Sequence, residues 1–102
     1  MTGPTPEELA RTKLNLETAR IAWKDLQRFF ASGAAIYVSE DLDLIEVAFQ
    51  LSEDNRQQFE QWMTAGRVAR VTDEQALAWY EGDVMMWAVV VSPYVLVQPT
   101  KK

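Results

Sequence analysis

A chain of 102 residues, 48% of them hydrophobic, can build one core and leaves no room for a second domain. Cys 0 and His 0 exclude disulfides, thiolate metal sites, a cysteine nucleophile and the commonest general base. A net charge of -5 disfavours nucleic acid, whose binding is dominated by cationic side chains.

Residues 1–5 are expected to be a disordered lead. They carry no basic segment followed by an apolar core, so the protein is expected to stay in the cytoplasm. Thr5-Pro6-Glu7-Glu8 then supplies a capping hydroxyl, a proline for the first helical position and a glutamate to return the capping bond. Leu9, Leu16, Trp23 and Phe30 recur every seven residues, which fits one long helix or two consecutive ones. Thr18 and Ile21 are weaker helix formers, so the preferred reading breaks the helix between Leu16 and Ile21. A second helix over about Ile21 to Ser32 then buries Trp23, Leu26, Phe29 and Phe30 and stops at Gly33.

Ala34 to Val38 is short, β-branched and aromatic, and reads as a strand. Leu44, Val47, Ala48 and Leu51 follow at helical spacing, with Asp43 placed to cap them. A further helix puts Phe59, Trp62 and Met63 on one face and ends at Gly66. Arg67 to Val71 reads as a connector or edge strand. Thr72-Asp73-Glu74-Gln75 then opens a helix with Ala76, Leu77 and Tyr80 inward. The run Val84 to Val97 is apolar on both sides, as a strand buried on both faces must be, and Ser92-Pro93 makes it either a hairpin or a bulged strand. It is too short and too interrupted to span a bilayer. The elements together predict an α+β domain, four or five helices packed on a small sheet that contains the C-terminal apolar strands. Residues 99–102 are expected to be a disordered tail.

Chemistry-bearing residues are few. Asp41, Asp43 and Glu46 lie in an acidic stretch and, if they converged, would suit a hard cation such as Mg2+. Acids at a helix start have a simpler role, since they complement the helix dipole. Arg11, Lys13, Arg20, Lys24 and Arg28 outnumber the acids of the first two helices and form a basic stripe able to meet an acidic partner. Of the four tryptophans, Trp23, Trp62 and Trp87 read as core, and Trp79 reads as an edge residue able to anchor an interface. No serine has a histidine to activate it, and no glycine-rich phosphate loop is present.

The segments Leu14 to Trp23, Asp41 to Ala48 and Trp87 to Gln98, taken in order, resemble the prokaryotic domain-of-unknown-function family 2288. The resemblance spans about Leu14 to Gln98. It implies a bacterial cytosolic single-domain protein and brings no substrate, cofactor or catalytic residue with it. It also directs attention to polar residues inside those segments, Glu17, Thr18, Arg20, Asp41, Asp43, Glu46 and Gln98. A Glu17 or Asp43 carboxylate would pair with Arg20 to lock a helix junction, or these groups would line a ligand site. The favoured expectation is a small protein-interaction or binding module without catalytic activity or cofactor, contacting a protein partner or itself through Glu17, Arg20, Asp41, Asp43, Glu46 and Trp79. The alternative is a carboxylate-dependent metal-binding protein or enzyme using Asp41, Asp43 and Glu46.

Overall fold

The computed structural model describes residues 3–100; Met1, Thr2, Lys101 and Lys102 lie outside the described residues. Among the described residues are five α-helices and five strands in one mixed sheet. In chain order these are α1 (Pro6–Glu17), β1 (Ala19–Ala22), a 3-10 turn (Trp23–Leu26), α2 (Gln27–Ala31), β2 (Ala35–Val38), α3 (Leu44–Ser52), α4 (Arg56–Thr64), β3 (Val68–Arg70), α5 (Asp73–Glu81), β4 (Met85–Val91) and β5 (Tyr94–Pro99). The fold is α+β, as the sequence predicts, and the C-terminal strands occupy its centre. The strand order is β1-β4-β5-β2-β3, with β2 and β5 parallel and the other neighbours antiparallel.

Local signals explain much of this. The Thr5 hydroxyl accepts from the Glu8 N–H at 3.1 Å, with Pro6 in the first turn, so α1 starts where its capping residues place it. Thr72 and Gln75 form a reciprocal capping box at the start of α5. Gly33 and Gly66 take φ of 78° and 75°, the left-handed conformation that ends α2 and α4. Ser92-Pro93 is a hairpin turn with a cis peptide bond, joining β4 to β5. At the far end Pro99 closes β5, and the Thr100 N–H donates to the Met85 carbonyl at 3.1 Å.

The expected helix over Ile21 to Ser32 is corrected. The chain does leave α1 in the predicted interval, where the Thr18 hydroxyl donates to the Leu14 carbonyl at 2.7 Å. It then becomes a strand, not a helix: Ala19 to Ala22 pair with Ala88 to Met85. Helix resumes only as the 3-10 turn and the five-residue α2. The sheet gains β1 as one edge, and Val68–Arg70 takes the edge-strand alternative open for Arg67 to Val71 as the other.

Side chains alternate across the strands and divide the core in two. On one face Ile36, Val38, Val68, Val89 and Leu96 pack with Leu14 of α1 and with Leu44, Val47, Ala48 and Phe49 of α3, and Phe59 and Trp62 of α4 close over them. On the other face Ala35, Met86, Ala88, Val95 and Val97 pack with Trp23, Leu26 and Ala76. Trp23 is 0% exposed and its indole N–H donates to the Ala76 carbonyl at 3.0 Å, fastening α5 to the 3-10 turn. That contact sets the rotation of α5. Ala76 and Trp79 face inward, whereas Leu77 and Tyr80, expected inside, are 60% and 49% exposed. Met63, expected to share the buried face of α4, is also exposed.

Candidate functional site

Trp87 departs most clearly from expectation. The apolar run around it predicts a core position, yet it is 42% exposed in the middle of a central strand. Residues directly opposite in an antiparallel pair share a face. Trp87 is opposite Arg20 of β1 on one side and Gln98 of β5 on the other. The three form a row on the face whose continuation, Val89 and Leu96, lies under α1 and α3. Cover is missing over the row because α1 stops at Glu17 and α3 does not begin until Leu44.

The gap is a cleft of about 290 Å³, with Trp87 and Gln98 on the sheet, Asn15 and Thr18 at the end of α1, and Asp43 and Ile45 at the start of α3. A second depression, lined by Glu40 and Pro99, borders Trp87 and Gln98 as well. The Gln98 side-chain amide donates to the carbonyls of Ser39 and Leu42, both at 2.8 Å. One side chain thereby fixes the turn that carries Glu40 and leads into Asp43. A smaller cleft of about 200 Å³ lies at the α3–α4 corner between Leu51 and Phe59, with Asp54 at its edge held by Arg56 at 3.5 Å.

The acidic residues do not converge. Asp41 accepts from the Ser39 hydroxyl and pairs with Arg67 at 3.0 Å. The Ser39 hydrogen bond, and after it the Arg67 charge, hold the Asp41 carboxyl below the usual aspartate range. Asp43 caps α3, accepting from the Ile45 N–H at 2.9 Å. Glu46 pairs with Arg11 at 2.5 Å and accepts from the Gln50 amide at 2.9 Å. Arg11 also reaches Glu7 at 2.8 Å and lies over the Phe49 ring at 4.5 Å, so it joins α1 to α3. Among the described residues no group of three or more carboxylates is placed to hold a metal ion. Each of the three acids proposed as a metal set is engaged by a different neighbour.

Arg20 makes no ion pair among the described residues, so it locks no junction with Glu17 or Asp43. The basic stripe is likewise dispersed. Arg11 turns to α3, Arg20 sits on an edge strand, and Lys24 reaches Asp83 at 3.4 Å. Of the residues singled out in the sequence, the structure brings Thr18, Arg20, Asp43 and Gln98 to the surroundings of Trp87. Glu17 borders a different groove, beside Val90, and Glu46 is bound to Arg11. Trp79 is half-buried on the opposite face, edge-on to Trp23 at 5.0 Å between ring centres. Trp87 itself was missed as a surface residue, since nothing in an unbroken apolar run marks the position where the covering helices end.

No helix among the described residues is long and apolar enough to cross a membrane. The fold and the site together define a small α+β protein built on a five-stranded mixed sheet, with an exposed tryptophan where the helical cover parts. More particularly, the chain belongs to the family described as protein of unknown function DUF2288, whose model matches residues 9–99. It is similar to the protein in the NMR solution structure of PA1075 from Pseudomonas aeruginosa, with 40% sequence identity and a TM-score of 0.81 over 100% of this chain and 93% of that one. No curated protein matches the chain.

Proposed function

We propose that the protein is a cytoplasmic protein-interaction module without catalytic activity, and that Trp87 with its polar rim is the contact surface. The exposure of Trp87 carries this reading. A large indole at the centre of an ordered sheet costs about 2 kcal/mol in unburied apolar surface, and an interface recovers it. Tryptophan and arginine are also the side chains most often found to dominate binding energy, and here they are cross-strand neighbours. The rim is ordered before any partner arrives, since Gln98 and the Asp43 cap hold the loop backbone in place. The acidic net charge favours protein partners over nucleic acid.

A photo-crosslinking phenylalanine analogue placed at position 87 in living cells tests this, with the same analogue at the exposed Glu74 of α5 as control. A discrete protein adduct from position 87 and none from 74 is expected. A folded protein that yields no adduct from position 87 would overturn the proposal.

A further inference from the structure

We propose that the partner at this surface is a second copy of the same chain, docked face to face across Trp87; the inference rests on reading Trp87 as a contact surface. The row Arg20, Trp87, Gln98 crosses three neighbouring strands, about 5 Å apart. Arg20 stands one strand to one side of the indole. Glu40 and Asp43 stand on the other, around the turn that Gln98 holds. The four acids of this region are not equivalent. Arg67 neutralises Asp41 and Arg11 neutralises Glu46, while Glu40 and Asp43 have no cationic partner among the described residues. The surface therefore presents a cation without an ion-pair partner, then an aromatic centre, then two carboxylates without one, of which Asp43 also caps α3.

This order selects the occupant. A basic segment laid over Trp87 would meet Arg20, and an acidic one would meet Glu40 and Asp43. A partner that suits both ends must carry both signs in reversed order. A two-fold rotation of this same surface, about an axis that lies in the interface at Trp87 and runs along the strands, supplies that order, as an isologous interface requires. Arg20 of each copy then lies against Glu40 and Asp43 of the other, and the two indoles meet at the axis. Joining two copies edge to edge through β1 instead would leave Trp87 uncovered.

Sedimentation velocity over a concentration series of the full chain tests the inference, using four variants. Wild type should show a monomer–dimer equilibrium. Arg20→Glu or Glu40→Arg alone should weaken it by about tenfold or more, because each substitution acts twice across a two-fold axis. The double variant Arg20→Glu/Glu40→Arg should recover most of the loss. Trp87→Ala should weaken association by about a hundredfold. These positions are exposed, and far-UV circular dichroism checks that each variant is folded. A wild type that stays monomeric into the millimolar range, or a dimer indifferent to the charge exchanges, would overturn the inference. Should the crosslinker at position 87 then capture a different protein, the interaction reading stands and only self-pairing falls.

Discussion

Replacing Trp23 with phenylalanine should cost about 3 kcal/mol. The side chain is fully buried and edge-on to Phe30 and Trp79, with ring centres 5.8 Å and 5.0 Å away. Phenylalanine preserves one six-membered ring and removes the indole N–H that donates to Ala76. Loss of that buried hydrogen bond is worth about 1 kcal/mol. The missing atoms and the void they leave beside Trp79 contribute about 2 kcal/mol, within the range for aromatic truncation. The total is a large share of the 5–15 kcal/mol that roughly bounds the stability of such a domain. For a chain of this length it should lower Tm by about 12 °C or more. Urea unfolding followed by far-UV circular dichroism measures the change directly, and an unaltered slope would show that the unfolded state is unchanged. A loss below about 1 kcal/mol would refute the reasoning, since it would mean that Trp23 neither fastens α5 nor fills the second core.

Gln98→Glu should destabilise the protein by about 2 kcal/mol, because a carboxylate would replace an amide donor facing the Ser39 and Leu42 carbonyls; Gln98→Leu, which brings no charge, should cost less in the same urea assay. Asp43→Ala should cost about 1 kcal/mol through the lost cap on α3, and Mg2+ should leave the Tm of both proteins unchanged. Asp41 is held below its usual range in the folded state, so its contribution is complete above that range and is lost as pH falls through the depressed value. The Tm advantage of wild type over Asp41→Asn should therefore shrink between about pH 6 and about pH 2, and a constant difference would show that the Ser39 and Arg67 contacts do not favour the charged form.

What could be read in the sequence was what short segments decide for themselves. The caps at Thr5, Asp43 and Thr72, the stops at Gly33 and Gly66, and the strand at Ala35–Val38 each follow from residues within a few positions of one another. Strand β1 does not. Ala19 to Ala22 fall inside the seven-residue spacing of Leu9, Leu16, Trp23 and Phe30, so the local pattern argues for helix. The conformation is decided by hydrogen bonds to β4, whose residues lie more than 60 positions away. Trp23 is buried as expected, but from a 3-10 turn. For α5, Ala76 with Trp79 and Ala76 with Tyr80 are both plausible helical stripes. Trp23 decides between them from another part of the chain.

The same unread strand creates the candidate site. Had residues 19–22 continued as helix, the next turn of α1 would have run on over Trp87, and Arg20 would have lain on a solvated helical face. Instead the Thr18 hydroxyl turns back to the Leu14 carbonyl, α1 ends, and the chain enters the sheet beside β4. That one change of direction uncovers the indole and sets a guanidinium directly opposite it. On the other side, Gln98 holds the turn that displays Glu40 and leads to Asp43, while Arg67 and Arg11 neutralise the acids that do not border Trp87. Both halves of the charge pattern thus arise from how the chain enters and leaves the helices over one face of the sheet. The proposed contact surface is a consequence of where the cover stops, and the residues at its two margins give it direction.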